Sequence, residues 1–339
     1  MKAFAQFLLA ALLLLPAAAD PALDAALDTV SPGLLKRASV CTVEEVAGQP
    51  LFTWHHYQDQ GAATDFWPAS TIKIYTVIAA LELINELGLP LDSALIFEHQ
   101  EKDGRWTLDC ARSLREMISE VFRRSSNEDY TLLLRFCGID RINTSFLTPA
   151  RGFLHSALMR GYVLGRPYGY VREKPQRITV RAADGTTKTV EHTWSGKSYS
   201  KERGATILDP ETGNCSSTHE LAECLRRVLF HEQIEESSRY RLTTEQLQFL
   251  RHGGGGLTGL ENKEAGDFAW KGAADSLFPQ AKYYHKGGQI SSYSLDLACI
   301  DDRANSGKCY LLCISINSGA DQPITEMARK AAEWAKARP

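Results

Sequence analysis

The segment Pro68-Ala69-Ser70-Thr71-Ile72-Lys73 opens an apolar stretch whose hydrophobic residues recur every three or four positions. This spacing predicts a helix that begins near Pro68 and stops at Gly88. Residues i and i+3 lie on one face of a helix, so the Lys73 amine can reach the Ser70 hydroxyl. The segment therefore predicts a serine nucleophile with a lysine base one turn away. The buried stripe comprises Ile74, Val77, Ile78, Leu81, Ile84 and Leu87.

A Ser-x-x-Lys pattern alone is weak support for a catalytic site, because ordinary composition yields roughly one accidental copy in a chain of this length. Ser198-Tyr199-Ser200-Lys201 is such a copy, in a polar stretch with no apolar helix behind it. In isolation, Ser70 and Lys73 would better fit a helix-capping serine and a solvated lysine. Two companion motifs favour catalysis: Ser125-Ser126-Asn127 opens a second helical stretch, and Lys286-Gly287-Gly288 lies in a late strand.

Together, the three motifs resemble those of the penicillin-recognising serine enzymes, and within them the class A β-lactamases. The likeness continues through Leu132-Leu133-Leu134, Cys137-Gly138 and Asn214-Cys215-Ser216-Ser217-Thr218, so it covers most of the mature chain. The resemblance implies an α/β (α+β) fold, in which an antiparallel sheet built from both chain ends is flanked by helices. An all-helical domain would be inserted between the two parts of the sheet domain.

The resemblance also implies a role for each motif residue. Ser70 would be the acylated nucleophile, Lys73 its proton acceptor, and Ser125 a proton relay to the leaving nitrogen. Asn127 would contact the substrate's side-chain amide. The catalytic set is thus Ser70, Lys73, Ser125 and Lys286, and the substrate-binding set is Asn127, Gly287, Gly288 and Gln289.

Positive charge for Ser125 and for the substrate carboxylate would come from Lys286. The backbone N–H groups of Ser70 and Gln289 would form the oxyanion hole. No cofactor and no metal ion would take part in this chemistry.

Two departures from the class A pattern bear on the substrate. The omega-loop glutamate that activates the deacylating water has no clear counterpart, since Glu211, Glu173 and His155 each lack the family's spacing or surrounding pattern. The usual hydroxyl residue of the third motif is replaced by Gly287, and no arginine follows between residues 289 and 295. We therefore expect the acyl-enzyme to hydrolyse slowly or with another residue as the base. Recognition of the substrate carboxylate should be weaker or different.

An insertion at about residues 151–211 replaces the ordinary omega loop. Alternation toward Asp184-Gly185 predicts a β-hairpin with a two-residue turn. The aromatic residues around the hairpin would either line a substrate cleft or anchor the insertion to the body of the protein. They are Tyr162, Tyr168, Tyr170 and Trp194.

Domain bounds follow from these elements. Residues 1–19 have the features of a secretory signal peptide, which predicts export to a bacterial periplasm without a retained anchor. Residues 20–65 and 215–339 would form the discontinuous α/β sheet domain, and residues 66–214 the helical domain with the nucleophile. Near the end of the chain, two antiparallel strands are expected around Cys299 and Cys309, followed by a helix that begins near Pro323.

Composition is that of a compact enzyme, with 44% apolar and 23% charged residues and a formal net charge of −3. There is no basic surplus for nucleic acid. The eight cysteines permit disulfides in an oxidising compartment, and Cys299–Cys309 and Cys110–Cys137 are the candidate pairs. No cysteine pair has zinc-site spacing, and the histidines do not cluster with the cysteines, so no metal site is predicted.

Three functions remain open. The first is an exported class A-like serine hydrolase that opens a β-lactam or a related amide. The second is a D,D-carboxypeptidase or another peptidoglycan-directed acyltransferase that binds penicillin but deacylates slowly. The third is a non-catalytic protein that binds cell-wall fragments. In each case the partner is a small molecule derived from a β-lactam or from peptidoglycan, and the oligomeric state stays open.

Overall fold

A computed structural model describes residues 18–163, 165, 172–207, 209–263, 267–274 and 276–338. Residues 1–17 of the predicted signal peptide lie outside the described residues, as do Tyr168 and Tyr170. The chain forms two compact units. The sheet unit comprises Met1–Ala69, Ser217–Glu235 and Gly266–Pro339, and the inserted unit comprises Ser70–Ser216 and Glu236–Ala265.

The described residues contain ten strands and ten α-helices. The strands are β1 (Ala18–Ala19), β2 (Lys36–Val46), β3 (Gln49–His56), β4 (Ala94–Gln100), β5 (Trp106–Ser113), β6 (Gln176–Arg181), β7 (Thr187–His192), β8 (Lys282–Ile290), β9 (Tyr293–Asp302) and β10 (Lys308–Ile316). The helices are α1 (Pro21–Asp28), α2 (Lys73–Glu86), α3 (Leu114–Arg123), α4 (Asn127–Cys137), α5 (Ile139–Arg141), α6 (Tyr199–Glu202), α7 (Thr218–Leu229), α8 (Thr244–His252), α9 (Phe268–Ala274) and α10 (Asp321–Lys336).

The sheet unit is built on a six-stranded sheet of order β1-β3-β2-β10-β9-β8. Its pairings are antiparallel except for β1 with β3. Strands β9 and β10 pair with Leu311 opposite Cys299, which confirms the predicted antiparallel pair. Helix α10 buries Ile324, Met327 and Ala331 in one hydrophobic core with α1, α9 and the sheet, as its apolar stripe predicts.

The inserted unit contains, besides its helices, a four-stranded antiparallel sheet of order β5-β4-β6-β7. The sequence analysis expects helices and a single hairpin here. Strand β4 alternates between buried and half-buried residues, but one of its inward positions is the polar residue His99. His99 is satisfied by Asp109 at 2.9 Å and by Glu101 at 3.0 Å, and this polar pairing weakens the hydrophobic alternation that identifies a strand.

The predicted hairpin is present as β6 and β7, with Thr179 opposite Thr189. Its turn differs from the expected two-residue form. Ala182 N donates to Thr186 O at 2.9 Å and Gly185 N donates to Ala182 O at 3.1 Å, so three residues form the loop. Gly185 has φ +88°, the left-handed conformation that ends such three-residue loops.

Residues 236–265 belong to the inserted unit, whereas the sequence analysis assigns them to the sheet domain. Two sets of polar contacts tie this segment to α2. Arg241 N donates to Glu82 Oε1 at 2.9 Å, and Asn85 Nδ2 donates to Gln246 Oε1 at 2.7 Å. These contacts join residues that are far apart in the sequence, so no local sequence pattern predicts them.

Neither candidate disulfide is bonded in the structure. Cys110 and Cys137 are free thiols, while the sulfur atoms of Cys299 and Cys309 lie 3.9 Å apart. Among the described residues, no helix has the length and apolarity required to cross a membrane.

Candidate active site

The nucleophile candidate lies at the start of α2. Residues Ala69–Ile72 form a 3₁₀ turn, and Lys73 is the first residue of the α-helix. A 3₁₀ turn aligns residues i and i+3, so Ser70 and Lys73 share one face, as the spacing predicts. Ala69 has φ +42°, an unfavourable conformation for a residue with a side chain.

The Lys73 side chain makes several polar contacts with the second motif. Its side chain is fully buried, and Nζ donates to Ser125 O at 2.5 Å and to Asn127 Oδ1 at 2.7 Å. Nζ also lies 3.2 Å from Ser125 Oγ and 3.4 Å from Ser126 O. The structure therefore brings the lysine of the first motif into direct contact with the serine and the asparagine of the second.

The second motif immediately precedes α4 and includes its first residue. The Ser126 hydroxyl caps the helix by accepting from Asp129 N at 3.1 Å, so Asn127 becomes the first helical residue. Ser125 has φ +55°. This left-handed conformation is costly for serine, and such strain often marks functional sites.

Ser70 is half-buried, and its hydroxyl makes no hydrogen bond among the residues that the structure describes. It shares the inserted unit with Lys73, Ser125 and Asn127. A side-chain oxygen that is partly accessible and not held by a neighbour is suited to attack an incoming carbonyl group.

Two tyrosines flank the lysine amine. Lys73 Nζ lies 5.6 Å from the ring centre of Tyr130 and 5.7 Å from that of Tyr162, and the two rings are 4.9 Å apart. The Tyr130 hydroxyl donates to Arg160 O at 2.8 Å and lies 3.0 Å from Asn214 Nδ2. Of the aromatic residues in the insertion, Tyr162 thus contacts the candidate site.

Trp194 lies elsewhere in the insertion, donating to Lys197 O at 3.0 Å. This contact holds a turn within the insertion, so it supports neither the cleft-lining role nor the anchoring of the insertion to the body of the protein.

An open depression of about 440 Å³ adjoins the second motif. Every residue around it belongs to the inserted unit. One wall carries an ion pair of 2.8 Å between Arg112 and the buried Asp129, which the sequence analysis did not single out. The lining residues are Arg112, Arg124, Ser125, Ser126, Asn127, Glu128 and Asp129.

The third motif lies on β8 of the sheet unit. Lys286 is buried, and its Nζ donates to Gly287 O at 2.6 Å. Burial lowers the pKa of Lys286 to about 8, although the charges of Asp267 and Asp296 raise it. Gly287 lies opposite Asp296 on β9, and Gly288 lies opposite Leu295.

Gln289, the last residue of the predicted set, directs its side chain to the start of α10. Its Nε2 donates to Gly319 O at 2.7 Å and to Asp321 Oδ1 at 2.9 Å. Its backbone, paired with Ser294 on β9, is the part that the sequence analysis assigns to the oxyanion hole.

A cluster of titratable residues that the sequence analysis missed lies beside the third motif. Asp267, His285 and Asp296 place one ligand atom each within 4.8 Å of one another. Burial and the charge of Asp267 raise the pKa of Asp296 to about 6. The three residues come from a loop and two strands, so only the folded chain brings them together.

The two glutamates considered as deacylating bases are both on the surface. Glu211 is exposed and lies 3.4 Å from Lys201 Nζ, and Glu173 is exposed as well. Both side chains therefore lie on the protein surface rather than in an enclosed pocket.

Comparison with solved structures agrees with this architecture. The chain is 15% identical to a β-lactamase from Sphaerobacter thermophilus, with a TM-score of 0.54 and coverage of 94% of this chain and 98% of the other. It is 14% identical to a class A β-lactamase from Bacteroides cellulosilyticus, with a TM-score of 0.57 and coverage of 93% and 96%. PBP-A gives 14% identity, a TM-score of 0.56 and coverage of 95% and 98%.

The chain has the β-lactamase/transpeptidase-like fold. The predicted fold class is thereby confirmed, and so is the resemblance at the level of the fold. No protein-family model and no curated protein matches the sequence. The activity of this β-lactamase-like chain is therefore argued from its own residues.

Proposed function

We propose that this chain is a serine hydrolase that opens a β-lactam or a related amide through an acyl-enzyme on Ser70. The observation that carries the proposal is the contact of Lys73 Nζ with Ser125 Oγ at 3.2 Å and with Asn127 Oδ1 at 2.7 Å. A buried lysine that joins two motifs in this way is unlike the solvated lysine of an accidental Ser-x-x-Lys pattern.

The proposed acylation proceeds in two proton transfers. Ser70 Oγ attacks the carbonyl carbon while Lys73 takes the hydroxyl proton. The C–N bond then breaks, and the proton reaches the leaving nitrogen through Ser125 Oγ, which lies within reach of the lysine amine. For this step Lys73 must act in its neutral form, which accepts a proton, while its hydrogen bonds to Ser125 O and Asn127 Oδ1 hold the amine in position.

In this proposal, the positive charge needed for the substrate carboxylate comes from Lys286. Asn127 contacts the substrate amide, and the backbone N–H groups of Ser70 and Gln289 receive the oxyanion. Gly288 lets the substrate approach the backbone of β8 closely, and Gly287 belongs to the same substrate-binding set. These are the roles that the resemblance to the penicillin-recognising serine enzymes implies.

A second candidate, a D,D-peptidase or a related peptidoglycan acyltransferase, is favoured by two observations. The rings of Tyr130 and Tyr162 lie near Lys73 Nζ, and the two candidate glutamates are exposed. Slow deacylation would follow if no carboxylate activates water. PBP-A, to which the chain is similar, has also been solved, as a variant, in an acyl-enzyme complex with penicillin G.

The test follows a chromogenic cephalosporin and the intact mass of the mature protein over time, with Ser70→Ala in parallel. Rapid turnover with no lasting adduct supports the β-lactamase. A persistent adduct that requires Ser70 supports the peptidase. Neither turnover nor an adduct with cephalosporins, penicillins or peptidoglycan stem peptides would contradict both and leave the non-catalytic binding protein.

Export is part of the proposal, because β-lactam and peptidoglycan chemistry lies outside the cytoplasmic membrane. Fractionation of cells that produce the full chain is the direct check. Mature protein that begins near Asp20 in the periplasmic fraction supports export, and an uncleaved cytoplasmic protein contradicts it.

A further inference from the structure

We propose that Asp267, His285 and Asp296 form a binding site for one divalent transition-metal ion, with Zn²⁺ as the ion best matched to its ligands. The three ligand atoms lie within 4.8 Å of one another. All three residues belong to the sheet unit. The inference does not depend on the proposed acyl-enzyme chemistry, and it is tested by metal binding.

Each ligand is held by a different element. His285 lies on β8, Asp296 lies on β9 opposite Gly287, and Asp267 immediately precedes α9. The His285 ring is stacked on Tyr283 at 4.5 Å with an interplanar angle of 12°. Asp296 Oδ2 accepts from Ala269 N at 2.6 Å and lies 3.2 Å from the Tyr283 hydroxyl. His285 and Asp296 are therefore held in place by neighbouring residues of the protein.

Several polar atoms of the cluster lack a hydrogen-bond partner among the residues that the structure describes. They are both ring nitrogens of His285 and Oδ1 of Asp296. His285 is 4% exposed and Asp296 is 0% exposed, so bulk water does not satisfy these atoms. His285 Nδ1 lies 3.3 Å from Asp267 Oδ2 without hydrogen-bond geometry. Buried polar atoms without partners are costly, and a bound cation would satisfy them.

The backbone of β8 also makes room for the cluster. A Cβ atom at position 287 would lie 2.0 Å from Asp267 Oδ2, so the carboxylate can take its place only because residue 287 is glycine. The departure from the usual hydroxyl residue of the third motif is thus coupled to the position of Asp267. Glycine at position 287 therefore lets the Asp267 carboxylate lie directly over the β8 backbone, beside His285.

The ligand chemistry selects the class of ion. One imidazole nitrogen and two carboxylate oxygens suit Zn²⁺, which often has three protein ligands and an open fourth position. Ca²⁺ requires six to eight oxygen ligands, which this buried cluster does not offer. Two carboxylates balance the charge of a divalent ion. Asp267 retains 34% exposure of its side chain and provides access from solvent.

The alternative role for the two carboxylates is to balance the charge of Lys286, whose pKa both of them raise. That role needs no ligand, and it leaves His285 Nε2 and Asp296 Oδ1 without a hydrogen-bond partner among the described residues. The experiment must therefore distinguish metal binding from simple charge balance.

The experiment strips the mature protein with a chelator, adds Zn²⁺, removes the excess and measures bound zinc by mass spectrometry. We expect one equivalent for the wild-type protein and a rise in the unfolding temperature when Zn²⁺ is present. Asp267→Asn and His285→Gln should weaken binding by more than about 100-fold, since even outer-shell partners of a metal site contribute about 10- to 100-fold. Cobalt substitution should give d–d bands without a thiolate charge-transfer band.

The control is His252→Gln, which removes an exposed histidine 2.7 Å from Glu261 in the inserted unit. It should leave the zinc content unchanged. The wild-type cobalt spectrum needs no variant, so the test survives if His285→Gln does not fold. Absence of zinc from the wild-type protein, retention of zinc by Asp267→Asn, or a thiolate band in the cobalt spectrum would each overturn the proposal.

Discussion

The carboxylate of Asp267 occupies the space that any side chain at Gly287 would need. Asp267 Oδ2 lies 2.0 Å from the position of a Cβ atom at residue 287, so a side chain there would have to displace the carboxylate. Position 287 is where the penicillin-recognising enzymes usually have a threonine or serine. The absence of a hydroxyl side chain at position 287 and the position of the half-buried Asp267 carboxylate are therefore coupled.

Restoring the hydroxyl at position 287 should destabilise this protein. We expect Gly287→Ser to lower the free energy of unfolding by about 1–3 kcal/mol, as for other overpacked sites. Adding Asp267→Ala should recover most of that loss, because it removes the colliding carboxylate. Urea unfolding of the two single variants and the double variant measures the coupling. Additive effects would show that the two positions do not compete for space.

Lys73 should be essential for acylation rather than for folding alone. Lys73→Ala should slow labelling of Ser70 by penicillin about 10²- to 10⁴-fold, the usual contribution of a general base. The matched control is Lys201→Ala in the accidental Ser-x-x-Lys pattern, whose Ser198 caps the short helix α6. Labelling rates from intact mass give the comparison, and equal rates for Lys73→Ala and wild type would remove the lysine from this role.

The left-handed backbone at Ser125 allows its effect on stability to be separated from the effect of its hydroxyl on acylation. Ser125→Gly and Ser125→Ala both remove the hydroxyl, so both should lose the proton relay to the same extent. Only glycine adopts φ +55° without strain, so Ser125→Gly should be more stable than Ser125→Ala by about 1 kcal/mol. Thermal unfolding and acylation rates are measured on both proteins. A more stable alanine variant would contradict the left-handed conformation.

Glu82 should make the inserted unit sensitive to acid. Burial alone would raise the pKa of Glu82, but Arg151 at 2.7 Å and Arg241 lower it below the ordinary glutamate value. A depressed pKa in the folded state adds stability above the unfolded pKa of about 4.3, and this stability is lost as the pH falls through the folded pKa.

Glu82→Gln should thus cost about 1–3 kcal/mol near neutral pH, the range for hydrogen bonds to charged groups. The difference from wild type should shrink only below about pH 4. Denaturant unfolding across the acid range measures it. Glu326→Gln is the control, since that residue pairs locally with Arg329 on the surface of α10. A difference independent of pH down to pH 2 would rule out this linkage.

Cys299 and Cys309 are expected to form a disulfide in an oxidising compartment. The two residues are diagonal neighbours on β9 and β10, since Cys299 lies opposite Leu311 and Cys309 opposite Asp301, and their sulfur atoms lie 3.9 Å apart. Oxidation would shorten this distance to about 2.05 Å. Protein exported and purified without reductant should titrate two fewer thiols than its eight cysteines supply. Cys299→Ser should abolish this deficit and Cys110→Ser should not. A full thiol count in the exported wild type would contradict the pair.

The parts of the fold predicted from sequence are those with local, strongly periodic signals. The stripe of α2, the strands β9 and β10 and the hairpin of β6 and β7 all rest on patterns that neighbouring residues complete. Strand β4 was missed because His99 interrupts its apolar alternation, and the turn after β6 gained a residue because Gly185 takes a left-handed conformation. Propensity identifies an element better than it identifies the turn that ends it.

The candidate site also contains parts that the sequence predicts and parts that it does not. The contact between the first two motifs is predicted only through the family resemblance, since no local sequence pattern connects residues 73 and 125. The Asp267, His285 and Asp296 cluster was not predicted, because its residue types are common and their spacing has no periodicity. Only the pairing of β8 with β9 and the loop before α9 bring these three side chains together.

The anchoring of Lys73 makes the site tolerant of sequence drift. Two of its described acceptors are the backbone carbonyl oxygens of Ser125 and Ser126, which every amino acid carries. Substitutions at these two positions can remove a hydroxyl but not the carbonyl groups that hold the ammonium in place. The side chains at positions 125 and 126 can therefore change, and the chemistry of the site with them, while the Lys73 amine stays in the same position.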